Sequence, residues 1–498
     1  MEHNNNLDKT KTDLRHDLVE LDFLARDLQQ KLKIMRKLIP SDFLLTQSAD
    51  FLFEHIQSTL TTIAQLRHSI VRLNKTLPRI PISNALAQKY AFYDQLRTLT
   101  SSVASFMTAS NWQSPSYAHS VYPQAGLKTG KIIGNITDYT RDQHLEANAY
   151  QKVFAKTYVG SRGLVPVEVF LTQSGMAALS TIIMFLYREK KVHGPILIGK
   201  SSYFQNKELI KNVFTQPIIE VDEHDTQTIQ SAITQHQPAI IFIDSLCNAP
   251  DLALPNLKQI ISYLTKHATR ESYLIVDNTC LTLGYAPLRH LSLLSRKVKL
   301  VVFESLNKHF QFGLDRTTGG FVYGLPTDAA ALFYSRVHSG TIMTDTSVAM
   351  LPSPNKKLLQ QRLHRLKRNA DYVATTLHTY IQHHTTNVNR IVYPGLPNHP
   401  AYAWAKKLPF HGASITLVFA KQKRGVRQYK GFIKQILTKA RSQNIPLVAG
   451  TSFGMNVTRV YLTSLRSDYG TPFIRISVGT ETWDEIVKLT SLITSCLI

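Results

Sequence analysis

Five short apolar runs rich in β-branched residues, VEVFL (167–171), PILIG (195–199), AIIFID (239–244), YLIVD (273–277) and KLVVFES (299–305), recur from about residue 160 onward. Amphipathic stretches of helical length separate them. That alternation predicts an α/β fold around a mostly parallel sheet, because strands covered by helices on both faces need no polar alternation. In such a sheet ligands bind at the carboxyl ends of the strands, so chemistry is to be sought where these runs terminate: Asp244, Asp277 and Glu304–Ser305.

One motif in this region points elsewhere. Gly194 to Ser201 fits G-x-x-x-x-G-K-S, and AIIFID resembles a strand ending in a metal-positioning acid, the letters of a nucleotide triphosphatase. A phosphate loop follows a strand, however, and PILI reads as the strand itself. Nucleotide hydrolysis is therefore set aside.

The first 110 residues are of another kind. Leu14, Leu18, Leu21, Ala25, Leu28, Leu32, Met35 and Ile39 form one stripe, Leu52, Ile56, Leu60, Ile63, Leu66, Ile70 and Leu73 a second, and Leu86, Tyr90, Tyr93, Leu99, Val103 and Phe106 a third. Four- and three-residue steps put each stripe on one helix face. They predict helical hairpins, a self-packing bundle or an oligomerisation arm with no visible catalytic group. Near Asn355 a long helical pattern begins, and strands return at 413–419 and 472–479, which predicts a smaller α+β part from about 345. The basic cluster Lys356, Lys357, Arg362, Arg365, Lys367 and Arg368 reads as a solvated helix face.

Hydrophobic residues at 43 % and charged residues at 18 % exclude a disordered chain. The formal charge of +23 suggests nucleic acid, anionic membranes or anionic ligands. Residues 1–130 hold fifteen Lys+Arg and eleven Asp+Glu, leaving +19 for the remainder, and no interleaving of basic and aromatic residues marks a nucleic-acid surface. Cys247, Cys280 and Cys496 stand too far apart for a thiolate zinc site or a disulfide framework, so a reducing compartment and no metal are expected. The polar start and the absence of a long apolar segment predict a soluble cytoplasmic chain.

From about Tyr139 the chain carries Tyr139-Thr-Arg141, Gln173-Ser-Gly-Met-Ala-Ala178, Tyr203, Asp244-Ser-Leu-Cys-Asn248, Val276-Asp-Asn-Thr279, Ser305-Leu-Asn-Lys308, Val392-Tyr-Pro-Gly-Leu-Pro-Asn-His-Pro400 and Arg475-Ile-Ser-Val-Gly479. In this order they resemble the cystathionine γ-synthase/γ-lyase (Cys/Met metabolism) family of pyridoxal-phosphate-dependent enzymes. The resemblance implies the aspartate aminotransferase-like fold (fold type I) and pyridoxal 5'-phosphate as cofactor. It divides the chain into a helical extension (1–110), an arm reaching a neighbouring subunit's site (111–160), a cofactor-binding α/β domain (161–344) and a carboxy-terminal α+β subdomain (345–498).

The resemblance also implies roles. Lys308 would hold the cofactor as a Schiff base and move the substrate's α-proton, with Tyr203 stacked on the ring and assisting proton transfer. Asp277 would keep the ring nitrogen protonated, and Asn248 would lie near the ring oxygen. Ser174, Gly175, Met176 and Ser305 would bind the phosphate, joined by Tyr139 and Arg141 from the neighbouring subunit, so that at least a homodimer, and usually a homotetramer, is implied. Arg475, a guanidinium in an otherwise apolar strand, would take the α-carboxylate of a small amino-acid substrate, with Ser452 lining the same pocket. The reaction would be elimination or replacement at the β or γ carbon of a sulfur-containing or O-acylated amino acid.

Two departures leave a second reading open. Asn307 stands where the family has Thr or Ser, and His309 and Phe310-Gln-Phe-Gly stand where an aromatic and a Gly-rich turn are usual. A chain that holds the cofactor with little turnover, its helical arm and basic surface serving a partner or nucleic acid, is the alternative.

Overall fold

The computed structural model describes residues 2–38, 46–108, 145–159, 166–291, 297–420, 424–465 and 470–497. It opens with helices α1 (Glu2–Leu38), α2 (Thr46–Thr76), α3 (Ile82–Thr108) and α4 (Leu145–Phe154). The large layer follows: β1 (Glu168–Thr172), α5 (Gly175–Arg188), β2 (Ile196–Gly199), α6 (Phe204–Val213), β3 (Ile218–Val221), α7 (Thr226–His236), β4 (Ile240–Asp244), α8 (Leu257–His267), β5 (Ser272–Asp277), β6 (Val298–Ser305), β7 (Gly320–Gly324) and α9 (Pro326–His338). Its seven strands run in the order β1-β7-β6-β5-β4-β2-β3, with only β7 antiparallel to its neighbours.

Successive residues of β4 show why these strands read as unbroken apolar runs. Ile240 and Phe242 enter the core beneath α5 and α6, while Ile241 and Ile243 enter the core beneath α7 and α8. Both faces are dry, so neither can be polar. The Gly194–Ser201 motif lies within this arrangement: Ile196–Gly199 is a strand, and the Ser201 amide that a phosphate would need donates to the Glu223 carboxylate at 2.9 Å. No phosphate loop is formed.

The carboxy-terminal part comprises α10 (Asp345–Met350), α11 (Lys356–His383), β8 (Val388–Val392), α12 (Tyr402–Ala405), β9 (Ser414–Phe419), α13 (Val426–Ser442), β10 (Val448–Ala449), β11 (Arg459–Thr463), β12 (Phe473–Ser477) and α14 (Trp483–Thr494). Its sheet runs β10-β11-β12-β9-β8 and is antiparallel except at β10–β11. Among the described residues no helix is long and apolar enough to cross a membrane.

The first two stripes are buried as expected, except for Ile39, which lies outside the described residues. The third is shifted. The buried face of α3 holds Ala85, Lys89, Phe92, Tyr93, Leu96, Thr100 and Val103, and Leu86, Tyr90, Leu99 and Phe106 flank it. Apolarity alone misplaces it because Lys89 is buried by pairing, 3.1 Å from Glu485 and 3.7 Å from Asp17.

The solvated reading of the 356–368 cluster is overturned for the same reason. Arg362 and Arg365 are buried, and the acids of α1 face them: Arg362 meets Glu20 at 2.9 Å, Arg365 meets Asp17 at 2.5 Å, and Arg368 grips both oxygens of Asp13 at 2.9 Å. The helices are docked on the carboxy-terminal part by charges taken out of water together. Removing one partner strands the other without hydration, so Arg365→Ala is expected to lower the unfolding free energy by about 3–5 kcal/mol, measured by urea denaturation. A loss below about 1 kcal/mol would mean that the pair is solvated.

Candidate active site

The carboxyl ends of the parallel strands and one face of the smaller sheet enclose a cavity of about 260 Å³. Ser174, Gly175, Met176, Tyr203, Asn248, Asp277, Ser305, Lys308, Ser452 and Arg475 all line it. Tyr139 and Arg141 lie outside the described residues.

At one end, β1, β7 and β6 bring Thr172, Gly320 and Ser305 into register, so the turn at Ser174–Gly175 passes directly over Ser305. A Cβ on Gly175 would stand 3.1 Å from the Ser305 Cβ, and one on Gly320 would stand 2.7 Å from the Gly175 nitrogen. Only glycines allow this approach. Ser174 caps α5, its Oγ accepting from the Ala177 amide at 3.0 Å. Gly175 and Met176, first in the helix, line the cavity at the positive end of the helix dipole, and their amides have no intrahelical acceptor. Together they make a site for a dianion.

Asn307 completes this end in a manner that the sequence does not reveal. Its Oδ1 accepts from the Gly319 amide at 2.8 Å, which fixes the side chain so that its NH₂ is the group left to donate. It thus offers a donor, as a hydroxyl at this position would.

Along the floor, Asp244 and Asp277 end adjacent strands in register. Burial, with Asp277 alongside, pushes the Asp244 carboxyl well above the usual range, although the Tyr203 amide donates to it at 2.8 Å. Burial also raises Asp277, against donors from Asn206 Nδ2 and the Thr279 amide, each at 3.0 Å. Two neighbouring carboxylates in a dry site favour a cation beside them. Burial raises the Tyr203 phenol to about 12, so it stays protonated, and it donates to Gln205 at 2.6 Å.

Lys308 lies just past β6, with its Nζ donating to Ser452 Oγ at 3.0 Å and lying 5.3 Å above the Phe453 ring. Burial and the nearby Arg475 cation lower its pKa to about 8. Arg475, buried on β12, donates from Nη1 to Asn248 Oδ1 at 2.6 Å and from Nη2 to the Ser452 carbonyl at 3.3 Å. Among the described residues its Nε is buried with no hydrogen-bond partner, and the residue lines the cavity, where a guanidinium suits a carboxylate. The Asn248 carbonyl is therefore committed to Arg475, and only its NH₂ can serve a ring oxygen.

The cavity thus offers an anion site, a carboxylate floor, a lysine of lowered pKa and a buried guanidinium, which fits pyridoxal phosphate together with an amino acid. A family model for Cys/Met metabolism PLP-dependent enzymes matches residues 98–489. The chain belongs to that family.

Among curated relatives of this Cys/Met metabolism enzyme, the bifunctional enzyme flvA of Aspergillus flavus is 22 % identical over 321 residues, 64 % of this chain and 37 % of that protein. Cystathionine gamma-lyase of Rattus norvegicus is 26 % identical over 243 residues, 47 % of this chain and 54 % of that one. The match thus spans between about a third and about half of these relatives' lengths. The solved cystathionine gamma-lyase from Lactobacillus plantarum, complexed with L-serine, superposes with a TM-score of 0.59 at 21 % identity, covering 76 % of this chain and 93 % of that one. The fold is that of the PLP-dependent fold type I enzymes, and the cofactor is pyridoxal phosphate.

Asn206, Thr279 and Phe453 also line the cavity without having been singled out in the sequence. Asn206 follows Tyr203 by one helical turn, and Phe453 follows Ser452, yet neither spacing is distinctive. The Thr279 hydroxyl accepts from the Ser305 amide at 3.0 Å, linking floor to anion site.

A lysine titrating near 8 holds on the order of a hundredfold more neutral amine at neutral pH than one at the usual ~10.4. Acetylation of Lys308 in cofactor-free protein, followed by mass spectrometry across pH, should therefore reach half its maximal rate near pH 8. Arg475→Met removes a repelling cation and should move that midpoint upward. A midpoint above about pH 10 in the wild type would mean that Lys308 is solvated.

Proposed function

We propose that this enzyme catalyses elimination or replacement at the β or γ carbon of a sulfur-containing or O-acylated amino acid, with Lys308 as the lysine that carries pyridoxal phosphate. The observation that carries the reading is the meeting, in one cavity, of the Lys308 amine, its pKa lowered by burial and by Arg475, with the buried Arg475 guanidinium. The bound cofactor supplies an electron sink for the pair of electrons left when a bond at the substrate's Cα breaks.

This chain's residues do the rest. Ser174, Gly175, Met176, Ser305 and the Asn307 NH₂ hold the phosphate, and Tyr139 and Arg141 of a neighbouring copy complete that site, so the working form is at least a dimer. Asp277, kept in place by Asn206 and Thr279, would favour a protonated ring nitrogen beside it. Tyr203 would cover the ring and, with its proton retained, could donate it to a departing group. The Asn248 NH₂ would be the group to serve the ring oxygen. Arg475 would take the α-carboxylate, which orients Cα–H toward Lys308 Nζ. Lys308 then takes that proton, its low pKa making the free amine available near neutrality. We place the reaction in the cytoplasm.

Cofactor-supplied protein should show a visible absorption band and release ammonia, a 2-oxo acid or a thiol from cysteine, cystathionine or an O-acylated homoserine. Lys308→Ala should lose the borohydride-fixable linkage and reduce turnover by about a hundredfold or more. Arg475→Lys should raise KM roughly tenfold or more with a smaller effect on kcat. A colourless wild-type protein, or a Lys308→Ala variant with undiminished turnover, would refute the reading.

A further inference from the structure

The family model begins at residue 98, so α1, α2 and the first half of α3 lie outside it. Two features near Lys308 are also unaccounted for by the cofactor. One is the bulky turn Phe310-Gln-Phe-Gly, and the other is the left-handed backbone of Ser452, at φ +75°.

We propose that the amino-terminal helices form a clamp that holds the two loops bracketing Lys308 in their working geometry, with Glu20 and Arg362 as the positioning residues of one arm and Phe23 and Arg97 as those of the other. This rests on Lys308 being the working lysine.

The first arm is a chain of hydrogen bonds. Tyr93 of α3 donates to Glu20 Oε1 at 2.8 Å, and Arg362 of α11 donates from Nη1 to the same oxygen at 2.9 Å. From Nη2, Arg362 donates to the Gly454 carbonyl at 3.0 Å and to Asn456 Oδ1 at 2.5 Å. Gly454, at φ +76°, lies against the lysine's own backbone: a Cβ there would stand 3.0 Å from the Lys308 carbonyl and 2.7 Å from His309 Nδ1. Two residues earlier, Ser452 accepts from Lys308 Nζ and receives Arg475 at its carbonyl. Glu20 thus connects to Lys308 through Arg362 and the backbone from Gly454 to Ser452.

The second arm grips the turn after Lys308. Phe312, fully buried at φ +51°, meets Phe23 of α1 edge-on with ring centres 5.9 Å apart. Arg97 of α3 donates to the Gly313 carbonyl at 3.2 Å. A Cβ on Gly313 would stand 2.8 Å from Arg362 Nη2, so the two arms converge.

Positive φ at Ser452 and Phe312 is costly for non-glycine residues and persists only where the surroundings over-determine it. Around Phe312 the surroundings include α1 and α3; around Ser452 they are Lys308, Arg475 and, through Gly454, Arg362, which Glu20 of α1 holds. Glu20 and Arg362 are both buried, so neither can release the other into water without leaving a bare charge, and the loop inherits the stiffness of that pair.

Hydrogen exchange on the full chain, with and without pyridoxal phosphate, tests the clamp. In Glu20→Gln the amides of 451–457, and in Arg97→Ala those of 309–314, should exchange roughly tenfold faster while β4, β5 and β6 keep their protection. Arg362→Lys, which keeps the pair with Glu20 but reaches fewer acceptors, should fall between wild type and Glu20→Gln. In turnover, both loop-loosening variants should lose kcat severalfold while cofactor occupancy is unchanged. Unchanged exchange in both loops, or faster exchange spread evenly through the central strands, would overturn the proposal. If Glu20→Gln does not fold, Arg97→Ala, whose side chain is partly exposed, carries the test alone. Because exchange is also read without cofactor, a Lys308 that takes up none would refute the proposed reaction and not the clamp.

Discussion

Burial of charge is the constraint on which the rest of this structure depends. A carboxylate or guanidinium removed from water must be answered at close range or it unfolds the region around it. The molecule answers some of these charges from within and leaves others for ligands. Arg365 has Asp17, the Asp13 carbonyl and the Thr480 carbonyl. Arg475 has Asn248 and Ser452 but keeps a bare Nε, and Asp277 has Asn206 and Thr279 but an uncompensated neighbour in Asp244. The joint and the site both keep buried atoms without a hydrogen bond among the described residues, Arg362 Nε and Asp17 Oδ2 in the joint as well as Arg475 Nε; what sets the site apart is that its charges line the cavity.

That distinction explains what was legible in the sequence. Arg475 stands among apolar residues in PFIRISVG, and Asp277 ends YLIVD, so each was visible as a charge that the local pattern could not solvate. Strand order and register then bring them to one cavity, and ordered motifs along the chain carry that information. The cluster at 356–368 misleads for a complementary reason. Its arginines sit among polar residues on a long helix, and nothing local distinguishes a solvated face from a docked one. The partner pattern, Asp13, Asp17 and Glu20, runs immediately beside Leu14, Leu18 and Leu21 on α1. A helix whose acids flank its apolar stripe is shaped to meet bases, but which bases is a question of tertiary geometry.

The turn after Lys308 shows the same limit. As sequence, Phe310-Gln-Phe-Gly is a departure from a Gly-rich turn; as structure, each residue has a distinct place. Phe310 packs among Phe154, Tyr158 and Phe321, and Phe312 reaches Phe23. Gln311 ties the loop to itself, donating to the Leu306 and Thr317 carbonyls and accepting from the Arg316 and Thr317 amides. Side-chain burial has replaced backbone freedom as the means of making the turn. Such an exchange is invisible without the helices that provide the buried surface.

The charge of +23 resolves into two populations with different physics. On α1 the acids Asp13, Asp17 and Glu20 face inward, while Arg15, Lys33, Arg36 and Lys37 are exposed, so a near-neutral segment presents a basic exterior. From Tyr372 to Ser467 the chain has thirteen Lys and Arg and no Asp or Glu, and α13 turns Arg427, Lys430, Lys434 and Arg441 to solvent. Net charge adds across these faces as if all were equivalent. The buried arginines are spent on cohesion and the exposed ones are not, so the total measures neither the affinity of the site for anions nor the strength of the joint. Both of those follow from a few paired atoms, and the sum conceals them.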